Sequence, residues 1–144
     1  MRMAMKIQKA KESDMPEICK LNKAISKLSD WAEDPNCLCK YFNASSGEYY
    51  IIRHNHKIIA GIAVDGFGEI DILCVTKKWR RKGLGTQLIN FAINLAKKDG
   101  LSHILVGTCN KFKAIPFYKK LGFTIKEKFD DGIYSYTDLT KRIT

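Results

Sequence analysis

No stretch of this 144-residue chain is apolar for long enough to cross a bilayer, which excludes a helical membrane span. The N-terminus, MRMAMKIQKAKESD, has no continuous apolar segment and no small-residue cleavage signature, so no secretory signal is read and a cytoplasmic location is expected. Five cysteines, at 19, 37, 39, 74 and 109, show no paired spacing. With three histidines in the chain they build neither a disulfide framework nor a zinc pattern, and reduced thiols are the expectation. Internal repeats, low-complexity tracts and Pro/Gly/Ser linkers are missing too, so one domain is expected over residues 1–144. Acidic residues are in the minority. Fifteen Asp and Glu face twenty-five Lys and Arg, a net charge of +10, which favours a polyanionic partner without saying which.

The apolar periodicity gives an element order. Met5 to Ala10 reads as a first strand. SDMPEICKLNKAISKL reads as a helix, with Ser13 or Asp14 as N-cap, Pro16 in its first turn, and Ile18, Leu21, Ile25 and Leu28 at helical spacing. A loop follows, with a short helix near Pro35 to Phe42. Residues 48–75 read as three strands turning near Asn55 and at Asp65 to Gly68. A long helix comes next, with Leu84, Leu88, Phe91 and Leu95 as its stripe and Ile89, Ala92 and Ala96 widening it. LSHILVGTC has the character of a buried strand, KAIPFYKKLGF of a short helix closed by Gly122, and the last twenty residues of a hairpin turning at DDG. The fold class is α+β, a mixed and mostly antiparallel sheet with a β-α-β unit in the middle.

One turn stands out in this order. Between the strand Glu69 to Val75 and the long helix lies TKKWRRKGLG. A strand entering a helix through such a turn aims unbonded amides and the positive end of the helix dipole at one spot, which binds anions. Gly83 and Gly85 let a ligand approach the backbone, Gly83 can take a positive φ, and Arg80, Arg81 and Lys82 add charge. The turn lacks the Lys-Ser/Thr of a nucleoside triphosphate loop and the three-glycine spacing of a dinucleotide fold.

Arg80-x-x-Gly83-x-Gly85 at this position, followed by AIPFYKKLGF with Ala114, Phe117, Tyr118, Gly122 and Phe123, resembles the GCN5-related N-acetyltransferases. The specific resemblance runs from Glu69 to Phe123. It implies that the amides of residues 81–86 (Arg81, Lys82, Gly83, Leu84, Gly85 and Thr86) cradle the pyrophosphate of acetyl-coenzyme A. It also implies that Leu73, Cys74 and Val75 lie along the pantetheine arm, with Phe117 and Asn110 beside the cofactor. Asn110 stands eight residues before Tyr118, one more than the family spacing. Tyr118 matches the tyrosine that gives a proton to the departing thiolate, and Glu69 the glutamate that takes the amine proton; Asp71, two residues on and expected on the same strand face, competes for that role.

The activity implied is acetyl transfer to a primary amine. Asp30, Glu33, Asp34, Asp130 and Asp131, with Trp31, suggest a cationic acceptor. Neither nucleic acid nor membrane is expected as a partner, since three phosphates of coenzyme A account for the basic patch, and a homodimer is compatible with an exposed sheet edge. Two other readings remain open: a non-catalytic acyl-coenzyme A-binding module and a basic nucleic-acid-binding domain with Tyr49, Tyr50 and Tyr134 as stacking residues.

Overall fold

A computed structural model describes residues 5–25, 48–110, 113–130, 132 and 135–144. The helix expected near Pro35 to Phe42 lies outside the described residues, as do Asp30, Trp31, Glu33, Asp34, Cys37, Cys39, Asp131 and Tyr134. The element order is β1 (Ile7–Lys9), α1 (Met15–Ile25), β2 (Glu48–His54), β3 (Lys57–Val64), β4 (Glu69–Val75), α2 (Leu84–Lys98), β5 (His103–Cys109), α3 (Ile115–Lys120), β6 (Thr124–Asp130) and β7 (Ser135–Arg142). Single 3₁₀ turns at Glu12–Asp14 and Lys77–Trp79 precede α1 and α2. No helix among the described residues is long and apolar enough to cross a membrane.

Seven strands form one sheet in the order β1-β2-β3-β4-β5-β7-β6. Every neighbouring pair is antiparallel except β4 and β5, which run parallel because α2 carries the chain back across the sheet. The final hairpin inserts its second strand next to β5, which leaves β6 as the edge, all seven of its residues exposed.

Two apolar layers sandwich the sheet. On one face α2 packs Leu84, Leu88, Ile89, Ala92, Ile93 and Ala96 over Ile52, Ile62, Ile70, Ile104 and Leu139. On the other, Met15, Ile18 and Leu21 of α1 cover Ile51, Ile58, Ala63, Ile72 and Cys74. Fully burying an aliphatic side chain of this kind stabilises by about 1.5–3 kcal/mol, so these two faces fix the register of the strands that contribute to them.

Four local expectations change. Ser13 and Asp14 lie inside the 3₁₀ turn, where Asp14 reaches back to accept from the Lys11 amide and ion-pairs with Arg53 of β2. The centre of the α2 stripe is rotated: Ile93 is buried, while Phe91 and Leu95 sit half-exposed on its flank. Strand β5 alternates, with Ile104, Val106 and Thr108 buried and His103 and Gly107 exposed, because α3 and α2 leave its other face uncovered. Lastly, the β3–β4 register skips at Asp71: Ala63 pairs with Ile72 but Val64 with Ile70, so Asp71 is an extra, bulged residue. The bulge lets Ile70 join the α2 layer while Ile72 joins the α1 layer.

Candidate active site

The parallel joint between β4 and β5 is short. Only Glu69 and Ile70 pair, with Leu105 and Val106, and beyond them the strands part. On its other edge β4 stays paired with β3 to its end, Cys74 opposite Gly61 and the Thr76 amide donating to the Ile59 carbonyl at 2.9 Å. Main-chain groups alternate sides along a strand. The amides and carbonyls of Leu73 and Val75 therefore point into the gap, whereas those of Cys74 point to β3. Of these, the Val75 carbonyl accepts from Arg80 Nε at 3.0 Å, a bond that folds the turn back over the strand end. The Cys74 side chain is buried on the α1 face, and burial pushes its thiol up to about 12.

At the head of the gap stands the glycine turn. Gly83 is left-handed, with φ 84°, and starts α2 without any side-chain cap; Arg81 before it is also left-handed, with φ 63°. Among the described residues the amides of 81–86 reach no main-chain acceptor; the first turn closes only with the Gln87 amide on the Gly83 carbonyl at 3.0 Å. No acid stands in the first turn of α2, where one would normally offset the dipole. The Thr76 hydroxyl, just before the turn, is buried without a partner. Lys82 Nζ sits 5.9 Å over the Trp79 ring, which packs against His54 at 4.6 Å and so fixes the basic turn to the β2–β3 hairpin. Gly85 has a further reason to be glycine, since a Cβ there would stand 3.2 Å from the Phe117 ring. Unbonded amides, no competing acid, an orphaned hydroxyl and a side-chain-free approach fit a phosphorylated ligand.

Across the gap lies α3. Pro116 occupies its second position and the helix ends in a glycine motif: the Gly122 amide donates to the Lys119 carbonyl and the Phe123 amide to the Tyr118 carbonyl. These bonds hold Tyr118 between the rings of Phe117 and Phe123, at 5.1 and 5.6 Å. Tyr118 is 5% exposed, and burial raises its pKa above the ordinary tyrosine value, with Cys74 adding to the effect. Asn110, at the end of β5, accepts from the Thr137 hydroxyl at 2.7 Å, which ties it to β7.

Glu69 lies at the other end of β4. Its carboxylate, that of Asp65 and that of the bulged Asp71 lie within 4.8 Å of one another. Burial raises the Glu69 pKa first, and the charges of Asp71, Asp65 and Asp138 raise it further. Asp138 reaches this group from β7 because its partner on β5 is Gly107, where a Cβ would meet the Asp138 carboxylate at 2.9 Å. Asp65, Asp138 and Thr76 were not singled out by sequence. Asp65 carried a readable sign, an Asp opening a glycine turn, and its Oδ1 indeed accepts from the amides of Phe67 and Glu69. Asp130, by contrast, spends both oxygens on its own hairpin, on the Gly132 amide and the Ser135 hydroxyl.

The family model described as an acetyltransferase (GNAT) domain matches residues 45–125. The chain belongs to this family. Among curated relatives of this GNAT chain, an uncharacterized N-acetyltransferase of Methanocaldococcus jannaschii is 45% identical over 71 residues, 48% of this chain and 31% of the relative. The chain thus spans about a third of the length of that relative. Solved GNAT folds superpose on nearly all of it. Ard1 of Thermoplasma volcanium matches with a TM-score of 0.84 and 14% identity, over 99% of each chain. The yncA protein of Salmonella typhimurium, solved with its cofactor acetyl-CoA, matches with a TM-score of 0.78 and 17% identity, over 99% of this chain and 95% of that one.

Proposed function

We propose that this GNAT domain transfers the acetyl group of acetyl-coenzyme A to a primary amine. The observation that carries the reading is the parting of β4 from β5 after Ile70 under an amide-lined turn: an extended arm fits beside Leu73 and Val75 with its phosphates at Gly83 to Thr86. The acetyl-CoA in the yncA structure supports the same ligand for this chain. When bound it supplies a thioester, an activated acyl group.

The residues of this chain divide the remaining work. Glu69 takes the proton that the amine nitrogen loses as its bond to the acyl carbon forms, and a raised proton affinity suits that task near neutral pH. Outward amides of β4 face the oxygen on which negative charge develops. As the carbon–sulfur bond breaks, the electron pair leaves on sulfur and Tyr118 donates its proton there; burial keeps the hydroxyl protonated until then. Glu69, Asp65, Asp71 and Asp138 together favour a cationic acceptor, whose ammonium they attract before it is deprotonated. This acidic group adds to the loop acids of the sequence reading, of which Asp30, Glu33, Asp34 and Asp131 lie outside the described residues. Release of free thiol and the product mass, followed with acetyl-coenzyme A and a panel of amines, test the activity. Calorimetry showing no heat with acetyl-coenzyme A would refute it.

A further inference from the structure

At the opposite end of α2 from the glycine turn there is a cavity of about 260 Å³, which shares only Asp65, on its rim, with the proposed transfer. It exists because α2 presents Ala92 and Ala96, one turn apart, to the glycine-containing β3–β4 turn, where larger side chains would close the space. Its floor is apolar, made by these alanines with Val64, Leu95 and Leu101, and its rim is acidic, carrying Glu48, Asp65 and Asp99.

The rim acids are not equivalent. Both oxygens of Glu48 are committed, one to Lys9 at 2.8 Å and one to the Tyr50 hydroxyl, whose ring is braced edge-on by Phe91 at 4.7 Å. Asp65 uses Oδ1 on the turn amides. Asp99 makes no ion pair with the described lysines and arginines, and it stands at the carbonyl end of α2, where the helix dipole is negative. Lys97 and Lys98 stand in the same last turn but do not line the cavity, so the charges on its rim are those of the three acids, with Lys9 held on Glu48. The raised pKa of Tyr50, from burial and then from Glu48 and Asp99, reflects the same potential.

We propose that this cavity binds a small organic ammonium ion, with the charged head at Asp99 and the alkyl body on Ala92, Ala96, Leu95 and Leu101. The volume suits this class; drug-sized and nucleotide ligands take roughly 300–1,000 Å³. The proposal does not depend on the transferase reading, because Asp99 and the two alanines take no part in it.

The test is a titration of the ¹⁵N-labelled full chain with butylammonium, with 1-butanol as the uncharged control. Saturable shifts centred on residues 64–66 and 92–101 are expected, with butanol weaker by about tenfold, the order of one partly buried charge contact. Asp99→Asn, at an exposed helix end, should weaken butylammonium about fivefold, and Ala92→Leu, which fills the cavity, should abolish the shifts. Shifts centred on residues 69–75 and 110–118 would mean that the ion binds only as an acceptor, and would overturn the proposal. So would the absence of saturable shifts, or an Asp99→Asn affinity equal to that of the unchanged chain, which remains decisive even if the leucine variant fails to fold.

Discussion

The two ends of α2 are built to opposite rules. At the C-terminal end three of the last four carbonyls find a donor: the Asp99 amide bonds Leu95, the Gly100 amide bonds Lys97 and the Leu101 amide bonds Ala96, with Gly100 left-handed to allow it. At the N-terminal end Gly83 is left-handed as well, yet no side chain caps the helix and the first amides are left open. The same glycine conformation seals one terminus and opens the other. A helix end left without partners in an otherwise well-bonded fold is a place prepared for something else to supply them.

The largest expected effect lies beside the open end. Tyr118→Phe should retain its packing against Phe117 and Phe123 and lower kcat by about 10²–10⁴-fold, the usual worth of a positioned acid, with acetyl-coenzyme A affinity unchanged in calorimetry. Unchanged thiol release from that variant would take the acid's role from Tyr118 and leave the thiolate to draw its proton from solvent.

Next in size is the contrast between the two glycines. Gly83→Ala and Gly100→Ala should each lose about 1–2 kcal/mol of stability, since each forces a side chain into the left-handed region. Only Gly83→Ala should also weaken acetyl-coenzyme A, by about tenfold, because a Cβ holds the phosphates off the amides. Equal loss of affinity in both would erase the distinction between the ends.

The smallest effects are in pH. Glu69 must be ionised to accept a proton, so turnover rises with pH through its raised pKa. Asp138→Asn removes one of the charges that raise it, and the acid limb of kcat/KM should move to lower pH. The stability linkage has the matching sign. A carboxyl whose folded pKa lies above its unfolded value stabilises below the unfolded pKa and loses that contribution as pH rises through the folded one. Glu69→Gln should therefore raise the denaturation midpoint more at neutral than at acid pH, while removing activity.

Much of the open end is legible in the sequence because its signals are local. Gly83, Gly85 and the charges of Arg80 to Lys82 are read within a few residues of one another, and the Tyr118 block is a short run of its own from Ala114 to Phe123. The rest is set by distant partners. That β7 rather than β6 lies beside β5 depends on Leu139 and Val106 sharing the α2 layer, a choice no hairpin signal contains. The Asp71 bulge has no glycine to mark it and arises because Ile70 and Ile72 must face opposite layers. The approach of Asp138 to Glu69 needs Gly107, thirty-one residues away in the chain, to be small. Alternation alone predicts Asp71 on the Glu69 face; the bulge is what alters the spacing there, although the two carboxylates still come together.

The joint of two residues between β4 and β5 also has a mechanical meaning. It divides the sheet into a four-strand leaf and a three-strand leaf that meet along a short spine, like the covers of a partly opened book. On the proposed reading, a coenzyme arm seated beside β4 lies where the two covers part, so a substitution that loosens this two-residue spine is expected to speed the departure of spent coenzyme.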